Sequence, residues 1–377
     1  MRSESSDHFR GIHAATVCPL LPNGSIDEHT LAAHLYAVSR ADGITGLLIN
    51  GHAGENFMFG REDKRPVVEI ARQACSAHTL LVCGINVEDS LEAQRHVDDA
   101  AQAGADAVLV FPPFSWALSQ DADVAVRHRR IATANSRLQL FLYQAGVRAG
   151  TLGYTADALA RLVQLPNVIG IKEGSWENAA YEANRRMVQR VAPHVMVMAS
   201  GDEHLLTCFA VGTDGSLVSL ACITPELVVG LYRAMEAGDL AAARAFNDRI
   251  YPLAKAIYGT APGGHANARL KACLKLLGRI PSDAMRPPMG PLPADEVAMF
   301  DESVYDSDDF SLATYVMTPP LRNKESQDAL WTALKTDDLQ LISTDHCPFC
   351  MKEGPPADFF GNPQHERTRL FLRQLLH

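Results

Sequence analysis

Short apolar runs alternate with longer stretches of helical spacing along more than half of this chain. The runs cover residues 11–19, 45–50, 80–85, 106–111, 138–143, 167–172, 195–200 and 215–220. Between them lie Ala-rich, charged stretches with apolar residues at steps of three and four, such as 29–41, 61–77, 90–104, 121–135 and 155–165. Strands that are buried on both faces read as continuous apolar runs. Eight such strands alternating with helices predict an α/β fold, a closed (β/α)8 barrel.

An open, doubly wound sheet is the alternative architecture for the same alternation. Such a sheet usually has fewer strands, and it favours a glycine fingerprint directly after the first strand. Here the first run ends in CPLLPNGS, which offers no turn of that kind. The barrel is therefore the preferred prediction.

The chain continues beyond the eighth run with three more helical stretches, at residues 225–237, 240–258 and 266–277. We expect residues 9–223 to form the barrel and residues 224–300 to form a helical annex on it. Residues 301–309 (DESVYDSDD) are rich in acidic side chains and lack apolar periodicity, which predicts a linker. Residues 310–377 are short for an independent core. Within them we predict helices at 324–334 and 366–376 and a strand at 339–343.

The charge balance and the apolar content limit the classes of partner. Lys and Arg number 34 against 44 Asp and Glu, a formal net charge of -10, which argues against a nucleic-acid-binding face. No apolar stretch approaches the roughly 20 residues that cross a bilayer, and the start, MRSESSDHFRG, lacks the apolar core of a secretory signal. The 8 cysteines are too sparse for a disulfide scaffold. We expect a soluble, cytoplasmic protein with no membrane or nucleic-acid partner.

Polar residues at the carboxyl ends of the predicted strands are the candidates for chemistry, because barrel active sites lie at that end. The sixth run ends in Lys172, and burial there lowers the pKa of an amine, leaving the neutral nucleophile that imine formation requires. The fifth run ends in Tyr143, whose phenol can relay protons. A solvated strand-end lysine and a core tyrosine are the structural alternatives. Arg148, in the following loop, is a candidate for binding a carboxylate.

The second run leads into Gly51-His52-Ala53-Gly54-Glu55. Two glycines allow backbone amides to converge on a small anion, which suits a substrate carboxylate. A tight turn that binds no ligand is the alternative interpretation of the same sequence. The spacing matches neither a dinucleotide fingerprint nor a P-loop. A further polar group, His128-Arg129-Arg130, is predicted to be a solvated helix face.

Together these three loops resemble the dihydrodipicolinate synthase/N-acetylneuraminate lyase family of class I aldolases. The resemblance rests on Gly51-His52-Ala53-Gly54-Glu55, on Tyr143 with Arg148 and Gly150, and on Ile169-Gly170-Ile171-Lys172-Glu173. It extends in order from about Phe9 to Val304.

The resemblance implies a specific set of roles. Lys172 forms a Schiff base with pyruvate or another 2-oxo acid, and Tyr143 moves the proton. The backbone amides around Gly51, His52 and Ala53 hold the carboxylate together with Arg148, and the backbone near Leu217 closes the pocket. It also implies a second substrate that is an aldehyde, no cofactor, no metal, and a homo-oligomer, a dimer or tetramer.

Several positions depart from the family pattern. His52 and Ala53 stand where two hydroxyl residues are usual, Phe114 replaces a tyrosine of the lysine-pathway synthase, and Gln144 replaces an Asn. These departures argue against the lysine-biosynthesis enzyme. His52 is either a proton carrier or a packing residue. Trp116 hints at a bulkier or aromatic second substrate.

The function predicted from these residues is reversible cleavage or condensation of a C–C bond through the Lys172 imine. A dehydratase or hydratase-aldolase that uses the same imine is the nearest alternative. A non-catalytic barrel acting as a binding protein is the alternative of another class.

The tail resembles a fragment of dihydropyrimidinase/hydantoinase, a metal-dependent amidohydrolase. The similarity covers about residues 309–353 and includes YVMTPPLR and STDHCPF. Asp345 matches a metal ligand of that family, but the chain has no His-x-His to complete the site. Cys347 and Cys350 form a single C-x2-C pair, which is weak evidence for zinc. We interpret the tail as a gene-fusion or truncation remnant without a metal site of its own.

Overall fold

Each of the eight apolar runs forms a strand, and the strands close into one parallel barrel in a computed structural model that describes residues 6–113, 121–146, 153–297, 341–344 and 347–350. The strands are β1 (Gly11–Ala15), β2 (Ile44–Ile49), β3 (Leu80–Ile85), β4 (Ala107–Val110), β5 (Gln139–Gln144), β6 (Val168–Glu173), β7 (Met196–Ala199) and β8 (Gly215–Val218). Every strand pairs with the next, and β1 pairs with β8. The predicted (β/α)8 barrel is confirmed.

Helices connect consecutive strands on the outside of the barrel. They are α1 (Glu28–Ser39), α2 (Arg61–Ala74), α3 (Ser90–Gln102), α4 (Ala122–Ala132), α5 (Ala156–Leu162), α6 (Asn178–Val191) and α7 (Leu205–Val211). Four of them begin behind a side chain that accepts a hydrogen bond from the first helical turn: Asp27, Asp89, Asp121 and Thr155. These caps satisfy backbone N–H groups that have no partner inside the helix.

The eighth run ends earlier than its apolar character predicts. β8 stops at Val218, and Leu220 begins the short helix α8 (Leu220–Ile223). The N–H of Leu220 donates to the Asp202 carboxylate at 2.9 Å, from the loop after β7. This contact joins the residues that follow β7 and β8, where the chain leaves the sheet. No local sequence pattern predicts it.

The annex consists of α9 (Pro225–Glu236), α10 (Leu240–Tyr258) and α11 (Ala266–Leu276), close to the three predicted helical stretches. A buried ion pair ties α11 to the barrel, because Lys271 contacts the carboxylate of Glu55 in the turn after β2. Both side chains are 0% exposed. The Lys271 ammonium also donates to the carbonyl of Ala284 at 2.8 Å.

Arg286, which follows α11 in the chain, makes a second link between the annex and the barrel. Its guanidinium binds the Asp63 carboxylate through two nitrogens, at 2.6 and 2.9 Å, and donates to the carbonyls of Gly24 at 2.9 Å and Met58 at 3.2 Å. The same group lies 4.5 Å from the centre of the Phe59 ring. The residues that follow β2 are therefore held from two points of the annex.

The prediction of a solvated helix face at 128–130 is wrong for two of its three residues. His128 is 1% exposed and Arg129 is 0% exposed, whereas Arg130 faces solvent. Nδ1 of His128 is 3.1 Å from the Ser90 hydroxyl, and the Arg129 guanidinium donates to the Tyr154 hydroxyl. Helical spacing alone did not show that α4 turns these two polar residues inward.

The chain divides into two compact units, residues 1–291 and residues 292–377. The described part of the second unit contains α12 (Ala294–Val297) and an antiparallel pair, β9 (Leu341–Thr344) and β10 (Cys347–Cys350). The strand predicted at 339–343 is described from Leu341 to Thr344. The helices predicted at 324–334 and 366–376, and Asp345, lie outside the described residues. Among the helices that are described, none has the length and apolar character of a membrane span.

Replacing Lys271 with Met is expected to lower the free energy of unfolding by about 3–5 kcal/mol, because it leaves the Glu55 carboxylate buried without a partner. Urea unfolding measures this. Lys275→Met is the control, since Lys275 lies on the same helix as Lys271 and pairs with Asp283 but is 48% exposed, and this change is expected to cost less than about 1 kcal/mol. Adding Glu55→Gln to the Lys271 variant removes the unpaired charge and recovers part of the loss. Equal losses for the two single variants would contradict this interpretation.

Candidate active site at the barrel mouth

Lys172 and Tyr143 lie side by side at the carboxyl ends of adjacent strands. They are partners in the register of β5 and β6. The Lys172 Nζ is 5.6 Å from the centre of the Tyr143 ring, and the lysine is only 7% exposed. The amine and the phenol that the sequence singled out are thus brought together at the mouth of the barrel.

Burial changes the ionisation of this amine. Removal of water lowers the pKa of Lys172 from its ordinary 10.5 to about 8, and the nearby Asp202 carboxylate partly opposes that change. A fraction of the side chain is therefore the neutral amine at neutral pH, whereas a solvated lysine is almost entirely protonated.

Asp202 is a member of the site that the sequence prediction missed. It follows β7, is buried, and accepts the hydrogen bond from Leu220. Burial raises the pKa of Asp202 to about 6, while the Leu220 N–H and the Lys172 charge act in the opposite direction. A signal was available, because Asp202 is the first carboxylate after the seventh apolar run. The strand-end rule applied to all eight runs finds it.

Tyr143 keeps its proton in the resting site. Burial raises the pKa of Tyr143 to about 12, and the negative charge of Glu173 adds to the effect. The ring packs against Phe111, with centroids 4.9 Å apart, and against His52, at 5.2 Å. Its place beside Lys172 is therefore fixed by aromatic contacts as well as by the strand.

Glu173 has a different environment from its neighbour Lys172, because successive residues of a strand point to opposite faces. Its carboxylate accepts hydrogen bonds from Ser175 Oγ at 2.9 Å and from Asn184 Nδ2, on α6, at 2.7 Å. Burial raises its pKa, and these hydrogen bonds counteract the rise. Glu173 thus joins β6 to the helix layer behind the site.

The turn after β2 carries Gly51, His52 and Ala53 to the same mouth. Its conformation is unusual, since Asn50 and Glu55 have φ values of 50° and 56°, a region that non-glycine residues seldom adopt. A Cβ on Gly84 of β3 would lie 2.1 Å from the Asn50 carbonyl oxygen, so only glycine lets the turn approach this closely.

The amides of this turn are available for a ligand. Glu55 N–H donates to the His52 carbonyl at 2.9 Å, and Asn56 N–H to the Gly51 carbonyl at 3.3 Å. No backbone carbonyl of the described residues accepts from the N–H groups of His52 or Ala53. This arrangement suits the carboxylate-binding role predicted for the turn.

His52 forms part of the wall of the mouth. Its ring centroid is 4.4 Å from that of Phe111, and the residue keeps an exposed edge. Packing among the aromatic rings removes water from the imidazole and lowers the pKa of His52, and the Lys172 charge contributes in the same direction. The imidazole is therefore neutral near pH 7.

The rim on the β7 and β8 side is built partly by the annex. Tyr258, at the end of α10, contacts the Ser219 hydroxyl, and its ring lies 5.2 Å from that of Trp176. Trp176 has a φ of 61°. Burial raises the pKa of Tyr258 well above its ordinary value, and the Asp202 charge adds to this. Tyr258 is a second site residue that the sequence did not indicate.

The other predicted site residues are placed as follows. Leu217 is fully buried on β8, where it pairs with His13 of β1. Arg148, Phe114 and Trp116 lie outside the described residues. Gln144 binds the backbone of Tyr154 twice, with its amide NH2 donating to the carbonyl at 3.2 Å and its oxygen accepting from the N–H at 3.0 Å. Gln144 therefore links the end of β5 to Tyr154, just before α5.

The described residues contain no group of three or more His, Cys, Asp or Glu placed to hold a metal ion. Cys347 and Cys350 lie on β10 of the second unit.

A profile of the dihydrodipicolinate synthetase family matches residues 8–305, which span the barrel and the annex. The chain belongs to the dihydrodipicolinate synthetase family. It is 33% identical over 292 residues to the 4-hydroxy-tetrahydrodipicolinate synthase of Phenylobacterium zucineum, a match that covers 77% of this chain and 94% of the relative. It is 28% identical over 302 residues to a DapA-like lyase of Halobacterium salinarum, covering 79% and 94%. The protein is a lyase of this family.

Solved structures show the same fold. YagE, a family member from E. coli K12 crystallised with pyruvate, has a TM-score of 0.71 and 24% identity, covering 77% of this chain and 95% of its own. Dihydrodipicolinate synthase from Thermotoga maritima has a TM-score of 0.70 and 21% identity, covering 85% and 99%.

Replacing Lys172 with Met is expected to stabilise the fold at neutral pH. The folded-state pKa of about 8 lies below the ordinary 10.5, so stability is lost as pH falls from about 10.5 to 8, where the unfolded chain binds the extra proton. At pH 7 the variant should gain about 2–3 kcal/mol in free energy of unfolding from this effect, and the gain should fall below about 1 kcal/mol near pH 10. Urea unfolding at both pH values measures it. Lys255→Met, at an exposed lysine, is the control. A gain independent of pH would argue against a depressed pKa of Lys172.

Proposed function

We propose that this lyase is a Schiff-base aldolase that acts on pyruvate or another 2-oxo acid, with Lys172 as the nucleophile and Tyr143 as the proton carrier. The observation that carries the proposal is the buried Lys172 amine, with a pKa of about 8, beside the Tyr143 phenol. YagE was crystallised with pyruvate, which supports the same class of substrate.

The first half of the reaction follows from the chemistry of the amine. The neutral Nζ of Lys172 attacks the carbonyl carbon of the 2-oxo acid, and the carbinolamine loses water to give a protonated imine. The imine draws electrons from the neighbouring carbon. Loss of a proton there, or cleavage of a C–C bond with release of an aldehyde, gives an enamine.

Tyr143 supplies and accepts protons in these steps. Its high pKa keeps the phenol protonated until substrate is bound, so it can protonate the departing hydroxyl of the carbinolamine. The resulting phenolate then takes the proton from the carbon next to the imine. In the synthetic direction the enamine attacks an aldehyde, and the new alkoxide receives this proton.

The carboxylate of the 2-oxo acid binds in this proposal at the backbone amides of Gly51, His52 and Ala53. Arg148 is its second ligand, and the backbone near Leu217 closes the pocket. Holding the carboxylate fixes the carbonyl carbon against Lys172. His52 acts as a neutral wall residue, since its lowered pKa does not favour an imidazolium.

The aldehyde would then lie on the other side of Lys172 from Tyr143, toward Asp202 and the rings of Tyr258 and Trp176. β7, which leads into Asp202, is the strand next to β6 on that side. The aromatic rim and Trp116 favour an aldehyde with apolar surface. The hydratase-aldolase alternative shares the imine and is separated from the aldolase by analysis of the products.

The proposed chemistry belongs to residues 9–223 and their annex, residues 224–300. We assign none of the proposed chemistry to residues 310–377, whose sequence we interpret as a dihydropyrimidinase-like fragment. We propose a cytoplasmic homo-oligomer, a dimer or tetramer, although one solved relative is described as a monomeric dihydrodipicolinate synthase variant. The non-catalytic barrel is not favoured, because the protein is a family lyase with a buried amine at its mouth.

Lys172→Ala is expected to abolish covalent trapping of pyruvate by cyanoborohydride, because the Lys172 amine forms the imine in this proposal. Mass spectrometry of the intact protein and of its peptides measures the adduct. Lys255→Ala, at an exposed lysine, serves as the control and should trap as the wild type does. Absence of an adduct on the wild type with pyruvate and a panel of 2-oxo acids would refute the proposed function.

Tyr143→Phe is expected to slow proton exchange at the methyl carbon of pyruvate by at least about a hundredfold, because general acid–base catalysis contributes about 10²–10⁴. NMR in D2O measures this exchange without knowledge of the aldehyde. Tyr36→Phe, at an exposed tyrosine, is the matched control. Exchange at the wild-type rate in the Tyr143 variant would assign the proton transfer to another group.

A further inference from the structure

Helix α11 of the annex contacts the turn after β2 at two points on one helix face. Asn267 Nδ2 donates to the His52 carbonyl oxygen at 2.7 Å. Lys271, four residues later and therefore on the same face, pairs with Glu55. The helix thus reaches the turn that carries the candidate carboxylate-binding amides.

The hydrogen bond from Asn267 fixes the orientation of one peptide group. The His52 carbonyl receives two donors, the Asn267 amide and the Glu55 N–H at 2.9 Å, and both hold its oxygen in place. In a planar trans peptide the N–H of the next residue points opposite to the carbonyl. The Ala53 N–H is therefore directed away from the oxygen that α11 holds, and no backbone carbonyl of the described residues accepts from it.

The turn needs such support because its own conformation is strained. Asn50 and Glu55 both lie in the left-handed region, which persists only where surrounding contacts impose it. The buried pair between Lys271 and Glu55 anchors the turn as a whole. Asn267, which is half-buried, acts on the His52–Ala53 peptide through its hydrogen bond to the His52 carbonyl.

We propose that Asn267 is a positioning residue for substrate binding: it holds the His52–Ala53 peptide so that the Ala53 N–H is aimed at the carboxylate of the 2-oxo acid. The inference rests on the proposed function and adds a determinant of its substrate class. A residue of the annex thus supports the preference for a carboxylate that the turn after β2 provides.

The test compares a substrate that has the carboxylate with one that lacks its charge. Adduct formation with cyanoborohydride is measured as a function of concentration for pyruvate and for methyl pyruvate, on the full chain. The variants are Asn267→Ala, which removes the donor, and Asn267→Asp, which keeps the shape and places an acceptor against the His52 carbonyl. Asn247→Ala, on the neighbouring helix α10, is the matched control.

Both Asn267 variants are expected to raise the half-saturating concentration of pyruvate about tenfold, since a hydrogen bond to a charged group is worth about one to two powers of ten. The rate at saturating pyruvate should stay within about twofold of the wild type. Half-saturation by methyl pyruvate should also stay within about twofold, and the Asn247 control should match the wild type for both compounds.

Equal shifts for the two compounds, or no shift for pyruvate, would overturn the role of Asn267. A variant whose fold is damaged gives equal loss with both compounds and counts against the inference. The wild-type adduct tests the proposed function separately: if the wild type traps neither compound, the Schiff-base function itself fails, whereas the ratio between the two compounds reports only on Asn267.

Discussion

Closure of the eight-stranded parallel sheet is the constraint on which the rest of this molecule depends. Pairing of β1 with β8 brings the carboxyl ends of all strands to one rim, so residues far apart in sequence meet there. The register between β5 and β6 then sets Tyr143 beside Lys172. Since the strands are buried on both faces, a residue at the carboxyl end of a strand lies at the boundary between the apolar core and the open mouth of the barrel.

This position at the boundary of the core explains the shifted pKa values of the charged residues in the site. Lys172 is buried enough for its pKa to fall to about 8, and Asp202 is buried enough for its pKa to rise to about 6. Each charge partly stabilises the other, so neither shift is as large as burial alone would make it. The fold thus holds an amine that is part neutral at physiological pH, at the expense of some stability.

The annex completes the mouth as well as covering the barrel. It contributes Tyr258 to one rim, and on the other it holds the turn after β2 through Lys271, Asn267 and Arg286. The turn contains two residues in left-handed conformations, so its shape depends on these contacts. Barrel and annex therefore form one site within the first unit.

The sequence by itself determined the barrel, the three annex helices and the positions of Lys172 and Tyr143, because each follows from local periodicity and from the rule that strands end at the site. It did not reveal the inward turn of Arg129, the place of Tyr258 at the rim, or the links from α11 to the turn. Asn267 and His52 are 215 residues apart, and their contact has no local pattern. Only the tertiary structure decided these features, since burial and pairing across the closed sheet are properties of the packed chain rather than of any one segment.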